Sequence, residues 1–374
     1  MNPQEIHVRI FLYLNVFFRI IMLHQIKNFA ALMLAVSSVL FLGACKDKQP
    51  SVIEWQLQSQ ASATSIDFTE LKNFSDNVKR MSAGRLIITP HAGGSITNGP
   101  DIFAAVSEGR VEMGNGWPNW WSGQNPAWAV MNAGPFDFMN LDSSMMFFLA
   151  GEGTALANEM AQPHNIIWRP AWWPGMEFGL LSPKPITGLA DLEGKKVRIG
   201  PGLPSEVLTE ASGAYTIPLV PQEILPALEN GDIDAVEWTT AGGVLDLNVH
   251  KIAPNAIVPA IWQPSVVSDF LINQDAYNNL SPDLQAILET AIQAYTLTTT
   301  FKAKRADFDA LKQLIASGVN ITRWSDADIK RWRGANQAII TNYKKDPYTK
   351  KVLDAKQAFK QDFIDYYQHF KSYD

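Results

Sequence analysis

Twice along the chain, short apolar runs alternate with stretches of helical period, each time in the order strand, helix, strand, helix, strand. Short hairpin loops cannot produce that order. Parallel strands need a long crossover, so the pattern calls for parallel sheets with helices on their faces. The first series reads as a strand at 52–58, then a helix over 68–81 with Phe68, Leu71, Phe74 and Val78 on one face. A strand at 86–89 follows, then a helix opening near Pro100 with Ile102, Phe103 and Val106 together, and a strand at 111–113. The second series reads as strands at 197–199, 216–219 and 234–237 with helices at 205–212 and 221–229 between them. Two α/β units joined by more than one crossing make a cleft between lobes. The last third reads as helical: Ser281-Pro282-Asp283 supplies a cap, a first-turn proline and an acid, ahead of a stripe of Leu284, Ile287, Leu288, Ala291, Ile292 and Tyr295. Ser325 and Asp328 have the spacing of a capping box.

The N-terminal segment is of a different kind. Lys27 precedes an apolar run from Phe29 to Leu42, too short to span a bilayer comfortably, and small residues close it before Cys45. That is the arrangement of a secretory signal over residues 1–44. Residues 10–21 carry a second apolar stretch, for which a true start at Met22 and an uncleaved N-terminal membrane anchor are the two readings. Residues 45–52 are polar, contain Pro50 and read as a tether.

Composition narrows the function classes. A net charge of −6 argues against a nucleic-acid partner, and a single cysteine excludes disulfide frameworks, zinc ribbons and iron–sulfur clusters. The histidines stand far apart. No P-loop, serine elbow or glycine-rich dinucleotide fingerprint is present, because Gly200-Pro201-Gly202 lacks the third glycine and proline offers no N–H to a phosphate. Tryptophan is prominent: seven of twelve fall between Trp117 and Trp173. Trp120-Trp121 and Trp172-Trp173 lie in Gly/Pro/Asn-rich stretches, where adjacent side chains cannot all face one core; core packing and pocket walls are both open to them. Arg198, inside an apolar strand, needs an acidic partner, which is either a ligand carboxylate or an acid such as Glu237 or Asp234. Glu177 and Glu237 also sit in apolar surroundings. Two such acids near one cleft would repel unless a cation lay between them.

Several blocks then occur in a recognisable order: Gly109–Gly114 behind Asn98-Gly99-Pro100, Asn125-Pro126-Ala127, Leu192–Gly200, Pro226–Trp238, Lys251–Pro254 and Leu271-Ile272-Asn273. Together they resemble the extracytoplasmic solute-binding subunits of TRAP transporters, over roughly residues 53 to 320, and more narrowly the branch that binds 2-oxo acids and related small carboxylates. Leu42-Gly43-Ala44-Cys45 resembles a bacterial lipoprotein box, with Cys45 the lipidated residue. The resemblance implies a two-lobed, periplasmic-binding-protein-like α/β fold. Lobe 1 would be 53–175 with 265–300, lobe 2 would be 176–264, and helices over 301–374 would pack across both. It implies that Arg198 holds the ligand carboxylate and that a metal ion bridges ligand and protein, with Glu237 and the Trp238 carbonyl as ligands. The family's glutamine position falls on Glu177, and that second carboxylate favours calcium over sodium. Asn119-Trp120-Trp121 replaces a tyrosine-rich segment of the family, and Trp173, Trp262 and Asp269 complete the expected substrate-binding set. The expected partners are a small carboxylate, TRAP membrane subunits and, through the lipid anchor, a membrane, with the protein in the periplasm. A metal-dependent enzyme acting on a carboxylate and a ligand-sensing module for a signalling receptor are the alternatives.

Overall fold

The computed structural model describes residues 51–370 together with Phe17, Phe18 and Met22. Most of the signal and of the tether, with Cys45, lie outside the described residues. The compact unit runs from Val52 onward, and it is built on two sheets. The first contains β1 (Ile53–Ser59), β2 (Leu86–His91), β3 (Met113–Gly116), β4 (Ile166–Trp172) and β10 (Ser268–Asn273), in the order β2-β1-β3-β10-β4. The second contains β5 (Leu180–Ser182), β6 (Lys196–Arg198), β7 (Tyr215–Ile217), β8 (Ala235–Glu237), β9 (Asn255–Val258) and β11 (Asn320–Arg323), in the order β11-β9-β5-β8-β6-β7. The strands expected from the two alternating series pair in parallel as the order requires: β1 with β2 and β3, and β6 with β7 and β8. The connecting strands β10 and β5 run antiparallel to their neighbours.

The chain passes from the first sheet to the second over residues 173–179 and returns over 259–267. The first passage is tight. A Cβ on Gly179, whose φ is 154°, would come within 2.2 Å of the Ile257 carbonyl oxygen, so only glycine fits there. The 35-residue helix Pro282–Ala316 makes a third passage, and β11 follows it into the second sheet. The last third is therefore not wholly helical, and residue 300 lies within this one helix rather than at a boundary. The short run Ile321–Arg323 carries too little periodicity to announce a strand; its partner β9 supplies the hydrogen bonds. The expected strand at 111–113 begins at Met113 instead, because the Glu112 carboxylate accepts from the Gln56 amide (2.7 Å) in place of a backbone pairing.

Packing follows the predicted faces. Phe68, Leu71, Phe74 and Val78 on the helix Ile66–Met81 are buried against β1 and β2, and Phe74 meets Phe270 and Tyr295 at 5.5 and 5.9 Å. The Ser325–Asp328 capping box forms, opening the helix Asp326–Tyr343. That helix packs on the second lobe at Leu203–Ser212, whereas the final helix Pro347–Tyr367 packs on the first lobe. There Lys356, buried, donates to the Val130 carbonyl (2.8 Å) and pairs with Asp137.

Trp332 ties the return passage to this C-terminal layer. Its fully buried ring lies 5.5 Å from Trp262 and 5.7 Å from Trp324. Trp332→Ala removes the centre of that cluster and is expected to cost about 3–5 kcal/mol, the range of buried tryptophan truncations, read as a lowered midpoint in urea unfolding.

Candidate functional site

The parallel strands β6 and β8 end side by side, and ligand sites in α/β folds gather at such carboxyl ends. Arg198 is the last residue of β6 and Glu237 the last of β8. The Arg198 Nη1 donates to the Glu237 carbonyl (2.7 Å) and to its Oε2 (2.9 Å), and Nε donates to the Leu219 carbonyl (3.0 Å). The guanidinium lies over the Trp238 ring, 4.9 Å from its centroid. Nη2 donates to no acceptor among the described residues. The arginine is only 4% exposed, so burial pulls its pKa down while the charges of Glu237 and Glu177 pull it up.

Two further groups come from the passages between lobes. Gln263, on the return passage, donates through Nε2 to Glu237 Oε1 (3.1 Å). Glu177, on the first passage, is held in place by its own amide, which donates to the Pro264 carbonyl (3.0 Å), so the two passages brace each other here. Its side chain is buried beside Glu237. Burial first, then the charge of Glu237 and a hydrogen bond with it, hold the Glu177 carboxyl well above the ordinary carboxylate range. Arg198 and Gln263 oppose this more weakly.

One guanidinium thus faces two carboxyl groups, and direct hydrogen bonds from it reach only Glu237. The donors also suit a hard cation. Glu177 Oε2 and Gln263 Oε1 are buried without a partner, and every candidate ligand atom is oxygen. Among the described residues no group of three or more His, Cys, Asp or Glu side chains converges, so such an ion would also draw on amide or main-chain oxygens.

The lobes touch beside this cluster. Asn119, on the first lobe, donates through Nδ2 to the carbonyl of Pro201 (3.0 Å), three residues beyond Arg198. Its Oδ1 accepts from Asn132 Nδ2 (2.9 Å), and Asn132 Oδ1 accepts from the amide of Val267 on the return passage (3.0 Å). Both ends of the Asn119 amide are therefore engaged by protein, and its place is in the interlobe contact.

The structure thus gathers Arg198, Glu237, Trp238 and Glu177, with Asn119 at the lobe contact. Four of the other expected substrate-binding residues, Trp121, Trp173, Trp262 and Asp269, are instead buried in packed interiors. Trp173 is fully buried in the first lobe, where its indole donates to Ser144 (2.8 Å) and its ring packs on Phe148. Trp262 belongs to the Trp324–Trp332 stack. Trp121 and Trp168 both donate to Asp269 Oδ2, at 2.8 and 2.9 Å, which places Trp121 and Asp269 in the interior of the first lobe. Trp120 is half-buried on the same core. Adjacent aromatics in irregular segments can be buried on different sides, and their spacing does not say in which core. Gln263 was not foreseen; its one signal was an amide side chain in the almost wholly apolar run 259–267.

Several known proteins are similar to this chain. A family model described as bacterial extracellular solute-binding protein, family 7, matches residues 57–346. A monocarboxylate 2-oxoacid-binding periplasmic protein of Nostoc sp. is 29% identical over 310 residues, covering 83% of this chain and 84% of that one. A TRAP periplasmic solute-binding protein from Pseudoalteromonas atlantica, solved with sodium and pyruvate, is 28% identical with a TM-score of 0.81. It covers 85% of this chain and 97% of its own. One from Colwellia psychrerythraea, solved with calcium and pyruvate, is 28% identical with a TM-score of 0.80 over the same shares.

Asp269 gives the first lobe a pH signature. Burial, outweighing the two indole hydrogen bonds, raises its pKa to about 7. Between about pH 4, where the unfolded carboxyl ionises, and about 7, the native state keeps a proton the unfolded chain has lost. Stability from this group therefore falls as pH rises through that window, by at most about 1.4 kcal/mol per unit. Urea unfolding at stepped pH is expected to show Asp269→Asn with a flatter profile there, and an unchanged slope would refute the assignment.

Proposed function

Because the chain belongs to bacterial extracellular solute-binding protein family 7, we propose that it is the capture subunit of a TRAP-type transporter for a small organic monocarboxylate of the 2-oxo or 2-hydroxy class. The observation that carries this reading is the buried Arg198, which has one donor arm uncommitted beside two carboxylates. That arm is suited to a ligand carboxylate, and the planar fork fixes its orientation. The named ligands of the relatives, 2-oxo acids and pyruvate, support the class.

Charge balance supports the bridging ion and its identity. Arg198 cannot neutralise Glu177, Glu237 and an incoming carboxylate together. A divalent cation brings the set to neutrality, whereas a monovalent one leaves a unit of negative charge in a nearly dry site. Glu177, Glu237, Gln263 and the Trp238 carbonyl would hold the ion, with calcium favoured over sodium. When bound, it supplies positive charge to the ligand's oxygens. Arg198 orients the acid, Trp238 shields the guanidinium from water, and the Asn119–Pro201 contact holds the lobes together around it. No bond in the ligand is made or broken. Closure is a population shift toward the form in which the lobes touch, and that form is what membrane subunits would recognise. Export from the cytoplasm to the periplasm is implied by the signal over residues 1–44, and a lipid on Cys45 would keep the protein at a membrane there.

Calorimetry with pyruvate tests this. Binding is expected to vanish after chelation and return with calcium. Arg198→Ala is expected to weaken it by about 100-fold or more, since a buried charged hydrogen bond is lost. A ligand response indifferent to chelation would remove the ion from the reading and leave Arg198 as the sole anchor.

The second carboxylate makes a separate prediction. Glu177→Gln lowers the negative charge by one unit, so binding should persist with the preference shifted from calcium toward sodium. Titrations of the variant in each salt read this directly. An unchanged ion preference would show that Glu177 is no ligand.

A further inference from the structure

A cavity of about 630 Å³, sharing no lining residue with the Arg198 cluster, lies where the two C-terminal helices meet the return passage. Its walls come from both lobes. Phe136 and Phe138 belong to the first-lobe segment ahead of the helix Leu141–Leu149, and Phe363 to the final helix, which packs on that lobe. Pro259 follows β9, Trp324 follows β11, and Ile329 lies on the helix Asp326–Tyr343, which packs on the second lobe. The walls are tied to one another. The Phe136 amide donates to the Ile261 carbonyl (2.9 Å), and the Trp324 indole donates to the Pro259 carbonyl (2.9 Å). Those polar groups are used within the walls, and what they leave to a ligand is apolar surface. The volume is that of a small-molecule site.

Charge identifies the head group of the occupant. Arg323 and Arg333 line the cavity and are exposed, and neither has an acidic partner among the described residues. The Arg333 guanidinium lies over the Phe136 ring, 4.1 Å from its centroid. Lys360 joins them, its ammonium donating to the Phe136 carbonyl (2.8 Å). Two acids also line the cavity. Asp137 is paired with Lys356, and Asp326 stands in the first turn of its helix, where the helix dipole offsets its charge. Three cations beside an apolar cavity suit an anionic head joined to an apolar body. Guanidinium forks match a carboxylate, and a two-chain phospholipid exceeds the volume, which leaves a single-chain acid.

We propose that this cavity is a second ligand site, for an alkyl monocarboxylate of the fatty-acid type. The head lies among Arg323, Arg333 and Lys360, and the chain runs against Phe138, Trp324, Ile329 and Phe363. The site goes beyond capture of a small acid at Arg198 and does not depend on it. Its walls belong to both lobes and include the passage that carries Gln263, so an acid bound there packs against elements of both at once.

The test uses residues 52–374, which form one compact unit, with decanoate below its micelle range as the probe. Calorimetry should show one decanoate bound per chain, while decylamine, with the same chain and a cationic head, should not bind. Arg323→Gln/Arg333→Gln removes two exposed charges and should weaken decanoate about tenfold while keeping the unfolding midpoint of the parent. Excess pyruvate with calcium should not displace decanoate. Absence of saturable binding up to millimolar decanoate would overturn the proposal. So would equal binding of decylamine, a double variant that binds decanoate as the parent does, or displacement by pyruvate. Sedimentation with phosphatidylglycerol vesicles that requires the same two arginines would reassign the site to a lipid surface.

Discussion

One guanidinium confronting two carboxylates in a space that water scarcely reaches is the constraint on which the rest of this structure turns. Burial makes each charge expensive, so the set must be balanced locally. Arg198 balances Glu237 through direct hydrogen bonds. Glu177 is left over, and burial, with the charge of Glu237 beside it, holds its carboxyl well above the ordinary carboxylate range. The cluster is thus left with more negative than positive groups before any ligand shape is considered.

The fold delivers the groups of this cluster, Arg198, Glu237, Glu177 and the neutral Gln263, from four separate places. Two come from the adjacent ends of β6 and β8, where parallel pairing sets them side by side. Two come from the passages between lobes, which brace each other through the Glu177 amide and the Pro264 carbonyl. The same return passage reaches the lobe contact through Val267, Asn132 and Asn119, and reaches the C-terminal layer through Trp262. Motion of one lobe against the other therefore cannot leave the cluster untouched. The cluster and the lobe contact are linked by covalent chain and hydrogen bonds that meet in the passage between lobes.

The tryptophans show where local reading stops. Their density near Trp120 and Trp172 is plain in the sequence, and an aromatic on a loop is a reasonable wall for a small-molecule site. In the folded chain most of them are interior. Trp121 and Trp168 satisfy their indoles on Asp269, and Trp173 does so on Ser144. A buried acid held by two indoles leaves no periodic trace, because its partners lie more than a hundred residues away. Gln263 escaped notice for the same reason: an isolated amide has no meaning until Glu237 stands 3.1 Å from it.

What the sequence by itself determined was the alternation of elements, the parallel pairing that this alternation requires, the caps of the C-terminal helices, and the family blocks that single out Arg198, Glu237 and Trp238. These depend on residues within a few positions of one another, where period and turn chemistry operate. Only the tertiary structure decided that β10 and β11 complete the two sheets, that Asn119 serves the lobe contact, and that Glu177 and Gln263 meet at the strand ends. Those outcomes depend on which distant segments are brought together when the apolar faces are buried. A side chain's partner across such a distance is set by that packing, and local sequence carries no record of it.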